Sequence, residues 1–443
     1  MPIPKLLASM SLPLMLSMLI QSLYNIVDGM YVSQLSMDAL TATTLAFPLQ
    51  QVLIAVSVGT GVGINSLLAR RLGEKKFDEV NNIACLGLVL SLINSIVFVL
   101  LGIVAVRPFI SLFTDDAALV ELGTDYLSIC FIFSFGAFFA MINERMLQAT
   151  GHSVLSMISQ GIGAIVNIIL DPIMIFGRLG CPAMGIKGAA AATVIGQILS
   201  ALFALFCNIR YNTDIRFRLR KFKWDSRQVG DVYSVGVPAM IMQCIGSVTS
   251  VCMNKILISS SQSAVSVYGV YFKLNSFIFM PIFGLNQGSV PVVAYNFGAR
   301  RPKRIRETIR DCILATAVIM ALGLIVFQIM PEKLLMIFNA DEEMLSVGVR
   351  AMKIVSLTFI PAGISIILGN ALQGIGNGTV SMANSILRQI VFLIPSAFLL
   401  NKFFGVDYIW FSFLIAEVVS LTFTLVMFTK VYNKKVTPMM KEN

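Results

Sequence analysis

Long apolar runs recur twelve times along the chain, and they constrain its fold more than any other feature. They fall at 10–32, 41–69, 80–106, 119–147, 153–177, 185–209, 229–258, 264–297, 308–330, 344–372, 378–400 and 406–429. A bilayer core about 30 Å thick is crossed by about 20 apolar residues in a helix. Within that layer a helix satisfies its own backbone hydrogen bonds. The runs therefore predict an all-α, polytopic membrane protein with twelve transmembrane helices. Several runs exceed one straight crossing, so tilt or an extension beyond the bilayer is expected. Composition agrees: 57% of residues are hydrophobic and 13% charged, against about 45–50% and about 25% in soluble domains.

The same residues narrow the function classes. The first run continues into Asp28 without a small-residue cleavage site, so no cleavable signal peptide is expected. The seven cysteines form no CxxC and mostly fall within apolar runs, so neither a disulfide framework nor a zinc site is predicted. His152 is the only histidine and reads as a loop residue. Asp115 and Asp116 lack the DDxxD pattern of a membrane-embedded transferase. The chain is not expected to be an enzyme, and no cofactor is predicted.

Lysine and arginine fall unevenly among the connecting segments. The richest are Arg210 to Arg227, Arg300 to Arg310, Arg70 to Lys76 and Lys430 to Lys441. The opposite set of loops holds little beyond Arg107, Arg178, Lys187, Lys333 and Lys402. By the positive-inside rule both termini face the cytoplasm of a plasma-membrane protein. The net charge of +10 then reflects topology and contact with anionic lipid. The basic residues are split among loops with no recognition module, so nucleic acid is not an expected partner.

The longest hydrophilic stretch, RYNTDIRFRLRKFKWDSRQ, divides the chain near its middle. A shift of 225 positions aligns Pro13 with Pro238, Gly59 with Gly284, Gly63 with Gly288, Phe113 with Phe338, and Asp116 with Asp341. It also aligns Gly123 with Gly348, Gln148 with Gln373, and Gly151 with Gly376. Glycine, proline and polar matches at one offset signal an internal repeat. The expected organisation is a six-helix lobe at 1–209, a basic cytoplasmic linker at 210–228 and a second six-helix lobe at 229–443. An even number of helices per lobe relates the two bundles by a pseudo-two-fold axis along the membrane normal.

Polar residues within the apolar runs mark the candidate sites. Gln21, Tyr24, Asn25 and Asp28 are spaced three and four apart on one helical face. A charge at mid-membrane costs about 2.5–3.5 kcal/mol on insertion scales, so such residues face cavities and mark function. In NIILDP, Asn167 and Asp171 share a face just before Pro172, which bends a helix. The next run begins GIKGAAAAT. Its small residues let helices approach closely, and Thr193 presents a hydroxyl. Asp28, Asp171 and Thr193 lie at a similar depth in their helices. Paired carboxyl groups there would share a proton, or with Asn167 and Thr193 would coordinate a monovalent cation by oxygen ligation. The second half lacks these acids: Met253 and Ser396 stand at the positions matching Asp28 and Asp171. It carries Lys273, Asn275, Arg388 and Glu417 in apolar runs instead. These four, with Gln21, Tyr24 and Asn25, are the candidate lining of a substrate cleft.

The chain resembles the multidrug and toxic compound extrusion (MATE) family, in its DinF-like branch. The resemblance rests on SLPLMLSMLIQSLYNIVDGMYV, QATGHSVLSMISQGIGAIVNIILDP, VYGVYFKLNSFIFMPIFGLNQGSVPVVAYNFGAR and LQGIGN. It implies two six-helix lobes around a V-shaped cleft. It also implies antiport of amphipathic or cationic drugs against protons or sodium ions by alternating access. The family's N-lobe cation site maps onto Asp28, Asn167, Asp171 and Thr193, while the acidic pair that some members carry in helices 7 and 10 is missing. The coupling ion, proton or sodium, would be the only bound ion. Small amphipathic molecules and the lipid bilayer are the implied partners, and the chain is expected to be a monomer. The competing reading is a flippase of a lipid-linked precursor in the wider superfamily, which would want a cleft lined with cationic groups from both lobes.

Overall fold

A computed structural model describes residues 1–259, 262–338 and 340–441, and no strand occurs among them. The first half runs α1 (Ile3–Leu35), α2 (Met37–Gly73), α3 (Phe77–Val104), α4 (Val106–Ser111), α5 (Ala117–Ile132), α6 (Phe135–Ala149), α7 (Ser153–Phe176) and α8 (Ile186–Arg210). The second runs α9 (Ser226–Ile258), α10 (Gln262–Gly298), α11 (Pro302–Ile329), α12 (Pro331–Met336), α13 (Glu342–Ser356), α14 (Phe359–Gly374) and α15 (Gly378–Ile386). A π-helical turn, Leu387–Leu393, leads into α16 (Ile394–Phe404), and α17 (Phe411–Lys435) and α18 (Thr437–Lys441) close the chain.

Among the described residues ten helices are long and apolar enough to cross a membrane, or up to twelve spans if each of two bent pairs is one span. The spans read at 119–147 and 344–372 are each built from two helices. Each is a pair, α5 with α6 and α13 with α14, bent by 47° and 45°. In the second pair Pro361 stands just past the break and cannot donate a backbone hydrogen bond across it.

The internal repeat extends to fine detail. The short helices α4 and α12 begin at Val106 and Pro331, one repeat length apart. Asp116 caps α5 by accepting from Ala118 N at 2.9 Å, and Asp341 caps α13 by accepting from Met344 N at 2.7 Å. A side-chain oxygen at this position satisfies one of the free N–H groups of a first helical turn. Gly123 packs against Ile110, and Gly348 against Leu335, with a Cβ on either leaving only 2.8 and 2.7 Å. Gly151 and Gly376 turn the chain at φ 85° and 82°, a conformation that favours glycine.

Packing divides the chain into two compact units, Ser9–Met240 and Met1–Ala8 with Ile241–Asn443. This differs from the expected boundaries at 209 and 229, since the division falls inside α9 near Pro238. The cause is close backbone contact. A Cβ on Gly63 would lie 2.3 Å from Val232 O, and one on Gly59 would lie 2.6 Å from Gly236 O. The first part of α9 therefore belongs with α2. The basic linker is tied to the same unit. Asn82 accepts from Lys223 N at 3.0 Å and donates to Gln228 Oε1 at 2.8 Å, and Asn81 accepts from Arg216 N at 2.6 Å.

Lipid tails are as apolar as leucine, so the helices are held by tight packing and interhelical polar contacts more than by the hydrophobic effect. In the first unit Phe98 packs between Phe131 and Phe138, at ring distances of 5.2 and 5.3 Å. In the second, Phe359 stands between Phe327 and Phe279 at 5.1 and 5.9 Å.

Candidate functional site

Two small-residue contacts fix the register of α7 against α8. A Cβ on Gly196 would meet Gly163 O at 2.6 Å, and one on Gly188 would meet Met174 O at 2.5 Å. At the end of the hairpin Met184 N donates to Met174 O at 2.9 Å and Gly185 N to Ile175 O at 3.2 Å. This register sets Asn167 and Asp171 of α7 beside Thr193 of α8. α7 remains continuous through Pro172.

Asp171 is fully buried, and Asn167 and Thr193 are 2% and 5% exposed. Hydrogen-bond satisfaction fixes the Asn167 amide orientation. Its nitrogen donates to Asp171 Oδ2 at 3.0 Å, and its oxygen accepts from Thr193 N and Oγ1, both at 3.1 Å. The reverse orientation leaves a 3.4 Å contact to Asp171. The carboxyl group of Asp28, from α1, lies beside that of Asp171. Two carboxylates have only acceptors, so this closeness needs a shared proton or another cation. Asp28 Oδ1 is buried and has no hydrogen-bond partner. The cluster is thus four side chains from three helices, with one acceptor to spare.

Tyr24, one turn before Asp28, lies near Thr193. Gln21 and Asn25 share its helix but are exposed. The sequence reading missed a second layer. Tyr126 and Cys130 of α5 are buried near Asp28, with Gln50 of α2 beside Tyr126. Their spacing of four residues was the signal available. A further buried acid, Glu144 of α6, is 5% exposed. It accepts from Ser200 Oγ at 3.0 Å, Ser159 Oγ at 3.3 Å and Gln160 Nε2 at 3.0 Å, which ties α6 to α7 and α8.

The second unit is built otherwise. Arg388 Nη1 lies 3.4 Å from Glu417 Oε2. The Glu417 Oε1 atom is buried without a partner, and the Ser365 hydroxyl lies near it without closing a bond of good geometry. Lys273 is exposed, its Nζ 5.8 Å from the centre of the Phe338 ring. Asn275 is half-buried, and its Oδ1 has no partner. Met253, at the position matching Asp28, is buried in the apolar core. Ser396, matching Asp171, donates to its own helix at Phe392 O. Among the described residues no group of three or more His, Cys, Asp or Glu side chains is placed to hold a metal ion.

A family model described as MatE matches residues 13–173 and again 238–399. Similar proteins include the multidrug export protein MepA of Staphylococcus haemolyticus (strain JCSC1435), 27% identical over 416 residues, covering 94% of this chain and 91% of the relative. The MepA of Staphylococcus aureus (strain MRSA252) is 25% identical over 417 residues, with the same coverage. Among solved structures, an outward-facing multidrug resistance MATE family transporter of the MOP superfamily superposes with a TM-score of 0.91. It is 23% identical and covers 99% of this chain and 96% of that one. A MOP superfamily transporter from Pyrococcus furiosus Vc1 (DSM3638) gives a TM-score of 0.90 at 23% identity, over 98% of this chain and 96% of that one.

Proposed function

The chain belongs to the MatE family, and we propose that it is a cation-coupled antiporter exporting amphipathic or cationic compounds from the cytoplasm. Similarity to multidrug export proteins over 94% of the chain supports the substrate class. The coupling ion binds at Asp28, Asn167, Asp171 and Thr193. One observation carries this reading: a carboxyl–carboxyl contact inside an apolar span, with no basic side chain within salt-bridge distance among the described residues. Such a pair takes up one positive charge without a fixed counter-ion to compete for it. That charge is either a proton shared by the two carboxyl groups or a sodium ion held by the spare Asp28 oxygen with the Asn167 and Thr193 oxygens.

Export follows from exchange. Loss of the bound cation leaves two like charges in a low-dielectric site, a state that favours rearrangement or rebinding. Alternating access then links cation entry to compound exit. Gln21, Tyr24, Asn25, Lys273, Asn275, Arg388 and Glu417 remain proposed lining residues. Both termini are proposed to face the cytoplasm, with the linker arginines and lysines against anionic headgroups, and the transporter to act as a monomer of two lobes.

The test is transport of a monocationic dye by the purified chain in proteoliposomes, with proton and sodium gradients imposed separately. Transport on a proton gradient without sodium, lost in Asp28→Asn, is the expected result. Transport only on a sodium gradient would assign the site to sodium. Undiminished transport by Asp28→Asn would overturn the site.

A further inference from the structure

We propose that Glu417 receives the cationic head of a transported compound, and that Arg388 is a tethered stand-in occupying it when no compound is bound. The inference rests on the reading of this chain as an exporter of organic cations. It goes further by naming the receptor group for a flat aromatic cation of that class.

Three observations carry it. The first is the incompleteness of the ion pair. A structural arginine–carboxylate pair is commonly bidentate, with contacts of about 2.7–2.9 Å. Here one nitrogen meets one oxygen at 3.4 Å, and Glu417 Oε1 is buried with no hydrogen-bond partner. The carboxylate is neutralised but not saturated, so it can accept a better-fitting cation.

The second is the backbone beneath the arginine. Arg388 sits in the π-helical turn Leu387–Leu393, where Ile394 N–H bonds to Gln389 O, five residues back. Pro395 follows and has no N–H to donate. Such turns hold an extra residue and recur at functional sites, because return to α-geometry rotates the side chains they carry. Gln389 is held by Thr249 Oγ1 at 3.1 Å, which leaves Arg388 as the neighbouring charged group able to swing. Its side chain is 29% exposed while that of Glu417 is 8% exposed. The arginine can therefore withdraw from a carboxylate that stays in place.

The third is the aromatic wall. Tyr271 lies close enough to feel both charges. It packs against Phe413 at 5.8 Å and Tyr268 at 6.3 Å. Aromatic faces attract cations, most strongly where water is excluded. A flat organic cation gains this contact together with the carboxylate, whereas an inorganic ion is too small to use both.

The experiment measures ethidium binding to the full-length purified chain by fluorescence anisotropy. Glu417→Gln is expected to weaken binding about tenfold or more, as loss of a buried charge partner does. Arg388→Gln is expected to tighten it several-fold, with affinity rising with pH because the bared carboxylate holds a proton or a dye but not both. A neutral probe of similar size should respond to neither change. If Arg388→Gln fails to fold, Arg388→Met serves the same comparison. Opposite signs for the two variants support the proposal. Equal weakening in both, or no change in either while wild type binds, overturns it and leaves the exporter reading intact. A wild type that binds no organic cation overturns both.

Discussion

The two units share one element plan yet treat buried charge in opposite ways. In Ser9–Met240, Asp28 and Asp171 face each other with no basic side chain in salt-bridge contact. In the unit that contains Ile241–Asn443, the matching positions are Met253 and Ser396, and the buried Glu417 has Arg388 beside it. The first arrangement needs a mobile cation; the second supplies its own. A repeat duplicated in structure can thus divide labour by changing a few side chains. On the function proposed above, the first half would respond to ion gradients and the second to an organic cation.

The largest test of this division is loss of the mobile cation. Asp28→Asn or Asp171→Asn should reduce gradient-driven export about a hundredfold or more, the range expected when a required charge-carrying group is removed. Binding of the dye should persist. Proteoliposome transport beside equilibrium binding separates the two effects. Loss of binding in Asp28→Asn would instead place the compound on the first unit's acids.

Packing gives the next comparison. Gly63→Ala would force a Cβ to 2.3 Å from the Val232 carbonyl, and backbone cannot move aside as a side chain can. A loss of about 1–3 kcal/mol is expected, read as a lower thermal midpoint in detergent. Gly123→Ala and Gly348→Ala meet first the flexible tips of Ile110 and Leu335, at 2.8 and 2.7 Å. They should cost less, and equally, if the repeat is as close in energy as in geometry. Smaller still are the helix caps. Asp116→Ala and Asp341→Ala should each cost about 1 kcal/mol. Hydrogen exchange localised to the first turns of α5 and α13 would check the pair.

The smallest effect concerns the loop after α2. Burial pushes the Glu74 carboxyl up, but hydrogen bonds from Lys76 and Arg71 outweigh it and hold the group below its usual range. A lowered carboxyl stabilises the fold above its unfolded value, and that contribution is lost as pH falls through the folded one. Residues 74–79 should loosen on acidification below the ordinary carboxylate range and show no change between about pH 6 and 8, as followed by hydrogen exchange.

Much of this was legible in the sequence. Apolar runs showed the helices because membrane spans must be long and unbroken. The repeat stood out because its glycines and caps do geometric work at fixed positions: Gly151 and Gly376 both need positive φ, and Asp116 and Asp341 both cap helices. Polar residues in apolar runs pointed to Asp28, Asn167, Asp171 and Thr193, since a buried polar group needs a partner. What escaped the sequence was what depends on contacts across helices. The bend between α5 and α6 has no proline at Phe133–Ser134 to announce it. Tyr126 and Cys130 look like core residues until α5 is set against α1. The attachment of Ser226–Met240 to α2 follows from glycines whose partner helix could not be known. The pairing of Arg388 with Glu417 joins two spans that sequence treats as independent.

The central claim is tested most directly by counting protons released when ethidium is added to the purified chain in weakly buffered detergent solution. Wild type is expected to release protons, Asp28→Asn none, and Glu417→Gln an equal number at saturation but with weaker affinity. Release that survives Asp28→Asn and disappears in Glu417→Gln would contradict that claim.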